Sequence, residues 1–290
     1  MMIDFTNCQI EQMKFYDGLN GKKIAIYYQD ELYMLKFPKE NHINDNYASS
    51  IINEYIGSHI FASLGFETQE TLLGNYQDKI VVACKDFEGF EKRLMNFGKV
   101  KNSIISGSNS SFADTDLQDT LNTIHNQRAI DSVILESFFW EMFVADTLIA
   151  NFDRHNGNWG LLVDNNRKIT IAPIYDCGSC LYPKLSNADI ESYLNHRGSL
   201  NDLLLNQTTS AITTNGKKIN PQRFLMDSSD ENIIEALNSV IKRINTEKLD
   251  LIIESVDFIS VLRKDFYKIV LKERSKVLNR ILQNALSRRI

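Results

Sequence analysis

Proline is scarce in this chain of 290 residues, with only four. Few positions can therefore interrupt a helix, and long helices are expected. Cysteine is as rare. Cys8, Cys84, Cys177 and Cys180 are too few and too scattered for a disulfide framework, so a reducing cytoplasm is the expected setting. No apolar run approaches the roughly 18 residues of a membrane span. The first residues, MMIDFTNCQIEQMKF, lack both a basic n-region and a continuous apolar core, so no secretory signal is read. Export would need a route without a conventional signal peptide. A positive net charge is also missing: 32 Lys+Arg stand against 37 Asp+Glu, a net −5. Such a chain is a poor general binder of polyanions, and nucleic acid is not an expected partner. The balance is uneven, because residues 263–290 carry nine basic and two acidic side chains.

What is present is an ordinary globular composition, 43% hydrophobic and 24% charged. The β-branched and aromatic run KIAIYY at 23–28 and the run LYMLKF at 32–37 flank a polar turn of Gln29, Asp30 and Glu31, and predict a hairpin. In residues 47–64 the apolar positions Ile51, Ile52, Tyr55, Ile56, Ile60 and Leu64 have helical spacing, with Gly65 placed as a C-terminal cap. KIVVAC at 79–84 reads as a short buried strand. Residues 131–150 are apolar on most sides and predict a buried central helix. Residues 159–163 and 168–172 read as a second hairpin. From Glu231 onward the pattern is amphipathic and helical, with a last helix over about 257–286. A small mixed lobe thus precedes a larger helical one, joined near residues 87–92, and ligands favour clefts between such lobes.

The chemistry concentrates in residues 151–180, NFDRHNGNWGLLVDNNRKITIAPIYDCGSC. Asp153, Arg154, His155, Asn156 and Asn158 crowd a loop at the end of the apolar helix, and Asp176 follows the hairpin. Phosphoryl transfer from ATP asks for a carboxylate to accept the proton of the attacking hydroxyl. It also asks for an amide oxygen and a second carboxylate to hold Mg²⁺. The spacing D-x-x-x-x-N occurs three times, at Asp146/Asn151, Asp153/Asn158 and Asp227/Asn232. Only Asp153/Asn158 sits on a loop that enters a hairpin with an acid at its far end. An Asx-rich turn capping the helix and hairpin is the other reading of these residues. Lys36, inside an otherwise apolar strand, is the candidate for a phosphate-binding lysine, with Glu54 on the next helix as its partner. Gly18 and Gly21 in Asp17-Gly18-Leu19-Asn20-Gly21-Lys22 permit close backbone approach to phosphate, although DGLNG also suits a plain turn. Cys177 and Cys180 form a C-x-x-C that reads either as two small apolar residues in a packed turn or as a redox or half-zinc motif.

LYMLKFP, the Glu54 helix, NFDRHNGNWG and APIYDCGSCLYP together resemble the HipA-like serine/threonine kinases. The resemblance covers nearly the whole chain and is weakest over residues 184–230. It implies a bilobal, protein-kinase-like α+β fold, with an N-lobe of residues 1–90 and a mainly helical C-lobe of residues 91–290. It implies ATP and Mg²⁺ as cofactors and a protein substrate with a serine or threonine hydroxyl. By the same resemblance Asp153 is the general base, and Asn158 and Asp176 are the metal ligands. Lys36, partnered by Glu54, contacts the phosphates, and Gly18, Asn20, Gly21 and Lys22 belong to the glycine loop. Val82, Ala83, Cys84, Lys85 and Asp86 carry the adenine at the hinge through their backbone. His155 braces the catalytic loop, and Arg154 orders it through a carboxylate or the backbone. Full-length HipA toxins have a further subdomain before the glycine loop, which this chain nearly starts with, so an antitoxin partner is not expected. Residues 15–24 contain no Ser or Thr, so the family's inhibitory self-phosphorylation beside the loop is not expected either. Two other readings share this layout. One is a kinase of lipid or small-molecule hydroxyls, with the lysines at 264, 268, 272 and 276 and Arg280 facing an anionic surface. The other is a nucleotide-binding module without turnover.

Overall fold

The computed structural model describes residues 3–16, 21–38, 47–104 and 115–288; the polar stretch at 106–111 lies outside them. Two short strands, β1 (Ile3–Asp4) and β2 (Gln9–Ile10), precede the expected hairpin of β3 (Lys23–Tyr28) and β4 (Glu31–Lys36). Its turn is two residues long. Gln29 and Asp30 both adopt positive φ, at 52° and 62°, so that Tyr28 faces Glu31. Such a turn matches the twist of the strands it joins, and it draws Glu31 into β4 rather than into the turn. Helix α1 (Tyr47–Ser63) follows, then β5 (Thr71–Tyr76) and β6 (Lys79–Lys85). The sheet runs β1-β5-β6-β4-β3-β2, with only the β1–β5 pair parallel. Alternation along its strands sorts the side chains onto two faces. Phe5, Ile26, Tyr33, Leu35, Phe37, Val81 and Ala83 form a small core on one side, while Val82 and Cys84 meet Ile51 of α1 on the other.

The cap expected at Gly65 is present. Gly65 has φ +82°, its N–H donates to Ala62 O at 2.9 Å, and Phe66 N–H reaches back to Phe61 O at 3.2 Å. The Phe61 and Phe66 rings meet at 5.1 Å, the hydrophobic contact that accompanies this ending. Helix α1 serves two layers. Beyond its sheet contacts, Ile52, Ile56, Ile60, Phe61 and Leu64 belong to the main core of the helical body.

That body begins with β7 (Lys92–Asn96), α2 (Phe97–Ile104), α3 (Leu117–Asn126) and α4 (Ser132–Ile149). Helix α4 is the expected central helix. Asp131 caps it by accepting from the N–H groups of Val133 and Ile134, and it ends in Ala150 at φ +56°. The second hairpin is β8 (Gly160–Asp164) and β9 (Ile169–Ile171), and β7 adds to its free edge to give the order β7-β8-β9. The remainder comprises α5 (Asn187–Asn195), α6 (Arg197–Leu205), β10 (Thr213–Thr214), β11 (Lys217–Lys218), α7 (Pro221–Asp227), α8 (Glu231–Arg243), α9 (Thr246–Glu254) and α10 (Val261–Ser287).

The last helix starts four residues later than its apolar pattern suggests. Ser260 accepts from Arg263 N–H at 3.2 Å, and this N-cap sets the start at Val261. Several basic residues of α10 are engaged within the chain. Lys264 and Lys268 both pair with Glu254, and Lys276 pairs with Glu273. Arg274 is fully buried, donating to Thr147 O at 2.7 Å and to Tyr182 Oη at 2.8 Å. It thereby ties α10 to the end of α4, where the candidate catalytic loop begins.

Gly57 lets α1 approach the Cys177–Cys180 turn closely. A Cβ there would lie 2.6 Å from Cys177 Cβ and 3.1 Å from Cys180 Sγ. In an exposed helix Gly→Ala gains about 1 kcal/mol. Here the overlap reverses the sign, and Gly57→Ala is expected to destabilise by about 1–3 kcal/mol. A urea midpoint equal to or above that of the wild type would contradict this packing.

Candidate active site

Lys36 ends β4, Glu54 lies in the middle of α1, and Asp176 follows β9. The fold brings all three together. Lys36 Nζ is 3.2 Å from Glu54 Oε2 and 3.3 Å from Asp176 Oδ1. Glu54 has a second duty. Its two oxygens accept from the N–H groups of Cys177 at 3.2 Å and Gly178 at 3.0 Å, so it fixes the backbone just after Asp176. Asp176 itself adopts φ +57°, a left-handed conformation uncommon for a side-chain-bearing residue. The Lys36 and Glu54 side chains are 13% and 4% exposed, whereas that of Asp176 is 38% exposed. One ammonium thus faces two carboxylates, of which Asp176 is the more open to solvent. Burial opposes the charge on Lys36, but Glu54 and Asp176 outweigh it and hold its pKa well above the ordinary lysine value. The attraction of Lys36, against the cost of burial, keeps the Asp176 carboxyl below its ordinary value.

A second charged cluster supports the loop that carries Asp153 and Asn158. Arg154 is buried, with Nε 2.9 Å and Nη2 3.2 Å from the two oxygens of Asp146. Its Nη1 donates to Asn158 O at 2.7 Å and also to Tyr175 O. One guanidinium therefore joins the backbone of the amide residue to the backbone immediately before Asp176. Arg154 orders the loop through both a carboxylate and the backbone. Asp146 matches D-x-x-x-x-N from inside the apolar helix α4 and not from a loop. Yet Asn151 Nδ2 donates to Asp146 Oδ1 at 2.7 Å, so this other D-x-x-x-x-N pair braces the first. The available signal was an acid inside the apolar run at 142–150, and such an acid is almost never buried unpaired.

Within the loop, Asp153 is exposed and Ser179 Oγ donates to its Oδ2 at 3.4 Å. Asn158 is buried and donates from Nδ2 to Asp153 O at 2.9 Å, which leaves its Oδ1 available as an acceptor. His155 Nδ1 accepts from Gly157 N–H at 3.0 Å, a brace internal to the loop. Tyr175 Oη donates to Gly157 O at 2.9 Å, a second tie between the loop and the Asp176 segment. Asn156 faces inward, accepting from Trp159 Nε1 at 3.1 Å and donating to Thr120 Oγ1 at 3.2 Å. These bonds satisfy an otherwise costly polar loop in the interior.

Of the expected glycine-loop residues, Gly18 and Asn20 lie outside the described residues. Gly21 has φ +76°, and the ammonium of exposed Lys22 sits 5.2 Å over the Phe37 ring. Val82, Ala83, Cys84 and Lys85 lie in the interior strand β6, with backbone laddered to β4 on one side and β5 on the other. Lys85 O also accepts from Gln69 Nε2 at 2.9 Å, and Asp86 N–H donates to Leu32 O at 2.8 Å. The expected backbone contacts to adenine across 82–85 compete with these ladders, and the chain leaves the sheet only after Asp86. The C-x-x-C pair is buried and free. Burial pushes the Cys177 thiol up to about 12 against the pull of Arg154. Cys180 Sγ lies 3.3 Å from Asn53 O, in keeping with small residues in a packed turn. Among the described residues no three His, Cys, Asp or Glu side chains gather to hold a metal. The donor set at the loop is one amide oxygen and one carboxylate, hard oxygen ligands of the kind Mg²⁺ takes alongside phosphates and water.

A model of the HipA-like C-terminal domain matches residues 18–247. The chain is 44% identical to the serine/threonine-protein kinase CtkA of Helicobacter pylori (strain J99 / ATCC 700824) over 282 residues, covering 96% of this chain and 86% of that protein. The crystal structure of the H. pylori proinflammatory kinase CtkA matches at a TM-score of 0.94 and 41% identity, covering 100% of this chain and 99% of that one. HipA of Shewanella oneidensis MR-1, solved with HipB and operator DNA, matches at a TM-score of 0.57 and 13% identity, over 94% of this chain and 70% of that one. This last likeness is one of fold.

The ion pairs of Lys36 set a pH dependence. The depressed Asp176 carboxyl contributes stability that is fully present above its ordinary value of 3.8 and is lost as pH falls through its lowered pKa. The raised Lys36 ammonium contributes below its ordinary value of 10.5 and loses its contribution as pH rises through the raised one. The stability gap between wild type and Lys36→Met is therefore expected to be full between about pH 5 and 10 and to narrow in stronger acid. Equal gaps in urea midpoint at neutral and at strongly acidic pH would show that Lys36 acts by packing alone.

Proposed function

Because the chain belongs to the HipA-like family of kinases, we propose that it transfers the γ-phosphoryl group of ATP to a serine or threonine hydroxyl of a protein. Residues 1–90 serve as the N-lobe and residues 91–290 as the C-lobe. The observation that carries this reading is the joining of two clusters. Lys36 is held between Glu54 and Asp176, and Arg154 ties the Asp153–Asn158 loop to the residue before Asp176.

Each side chain has a role that follows from its surroundings. Asp153 is the exposed carboxylate of the loop and accepts the proton of the incoming hydroxyl at Oδ1 or Oδ2. Lys36 carries a secured positive charge and binds the phosphate oxygens, with Glu54 holding it in place. Asn158 Oδ1 and the Asp176 carboxylate would hold Mg²⁺, which would supply positive charge to the phosphates. His155 and Arg154 keep the loop in shape and transfer no proton. The lysines at 264 and 268 are engaged by Glu254, so α10 offers less charge to an anionic lipid surface than its sequence suggests.

Purified protein given Mg²⁺ and γ-labelled ATP is expected to label itself or a generic basic acceptor. In Asp153→Asn the labelling rate should fall by about 10²–10⁴-fold. Calorimetry should still find ATP bound. Labelling that survives this change undiminished would remove Asp153 as the base.

A further inference from the structure

Helix α1 grips the turn after Asp176 at more places than Glu54. Asn53, the residue before it, donates from Nδ2 to Cys180 O at 2.6 Å, and Cys180 Sγ donates to Asn53 O at 3.3 Å. Gly178 rests on the same helix with no room for a side chain. A Cβ there would lie 2.9 Å from Ser50 O and 3.0 Å from Glu54 Oε2. The Asn53 amide is itself held from the last helix, because its Oδ1 accepts from Tyr267 Oη at 2.7 Å. Arg263, one turn earlier in α10, donates from Nη1 to Tyr267 Oη at 3.4 Å and from Nη2 to Leu185 O at 2.7 Å. Asn53, Cys180 and Tyr267 are all fully buried.

The direction of these bonds carries information. A guanidinium can only donate, so Arg263 occupies a lone pair of the phenol oxygen and leaves its proton for Asn53. Accepting that proton fixes which end of the Asn53 amide is oxygen, and Nδ2 is left to face Cys180 O. Without the hydroxyl, Asn53 Oδ1 would be a buried acceptor lacking a partner, and the amide would lose one of the two bonds that orient it.

The turn itself needs to be held. Asp176, Leu181 and Tyr182 all carry side chains at positive φ, at 57°, 53° and 55°. Such backbone is unfavourable and persists only where its surroundings over-determine it. Glu54 fixes the N–H groups of Cys177 and Gly178, and the Asn53 amide fixes the carbonyl of Cys180, between these left-handed positions.

We infer that Tyr267 is a positioning residue for Asp176. Its hydroxyl, acting through the Asn53 amide on Cys180 O, holds the turn at 177–180 in the form that sets the Asp176 carboxylate. Tyr267 touches no reacting group. The inference rests on the reading of Asp176 as a metal ligand of a kinase, and it adds the last helix to the support of that acid.

The test applies two measurements to the full chain. In hydrogen exchange without nucleotide, the N–H groups of Cys177 and Gly178 report on the turn. In Tyr267→Phe they are expected to exchange about ten-fold faster, while the amides of β6 stay within about two-fold of wild type. In calorimetry with ADP as the probe, Mg²⁺ is expected to tighten wild-type binding. In Tyr267→Phe that gain should shrink by about three- to ten-fold, with binding in the absence of Mg²⁺ kept within about two-fold. Ile233→Val, a core change in α8 outside this network, is the control for general loosening. It should lower the urea midpoint and leave both measurements at wild-type values. Unchanged exchange at Cys177 and Gly178 in Tyr267→Phe overturns the inference. An equal acceleration in Ile233→Val overturns it too, as does a Mg²⁺ gain equal to that of wild type. If Tyr267→Phe does not fold, Asn53→Ala carries the same two measurements, and the same results decide. A wild-type chain whose ADP binding ignores Mg²⁺ would sink the kinase reading of Asp176 and the inference with it, whereas failures confined to the variants leave that reading standing.

Discussion

The ammonium of Lys36 is the charge on which the site depends. It is drawn from the end of a strand into a mostly buried position where its own desolvation is unfavourable. Glu54 and Asp176 offset that cost. Each of them comes from a different part of the chain. A strand of the small sheet, a helix shared between two layers and the segment after the second hairpin must all be in place before the three charges meet. Glu54 extends the constraint by accepting two backbone N–H groups after Asp176. The left-handed backbone of Asp176 is held from both sides, by Glu54 beyond it and by the Arg154 bond to Tyr175 O before it.

Arg154 and Asp146 repeat this logic at a lower level of the fold. A fully buried guanidinium is tolerated because its donors find carboxylate and carbonyl acceptors. What the pair provides is geometry. It couples the loop of Asp153 and Asn158 to the Asp176 segment through bonds of fixed direction, so neither can shift alone. Arg274 anchors the same neighbourhood from behind by binding Thr147 O near the end of α4. The candidate catalytic groups, exposed Asp153 and buried Asn158, thus sit on a polar loop held by a buried support of fixed geometry, the kind of precision that phosphoryl transfer needs.

Elements with a strong local signature were legible in the sequence. The period of α1, its Gly65 cap, the apolar α4 and both hairpins are set by interactions within a few residues of each other. Strands β5 and β7 were not. TLLGNY and KRLMN carry little alternation, and they become strands because β6 and β8 offer them open edges. The start of α10 departs from the apolar spacing, which runs through residues 257–260, because the cap at Ser260 fixes it by one side-chain hydrogen bond. Helices α5 and α7 begin at caps that the sequence carries, Ser186 with Asp189 and Asn220 before Pro221.

The sequence by itself determined which residue types could do the chemistry. It supplied a loop acid and amide at fixed spacing, a later acid after a hairpin, and a strand lysine followed by a helix glutamate. These are local facts of composition and order. Only the tertiary structure decided that Lys36, Glu54 and Asp176 share one cluster, that Asp146 supports the loop, and that Asp86 binds Tyr16 and Lys14 from a distant part of the chain. Such pairings are between charges whose cost of burial depends on partners remote in the chain, and no local pattern encodes where a folded chain will bring them together.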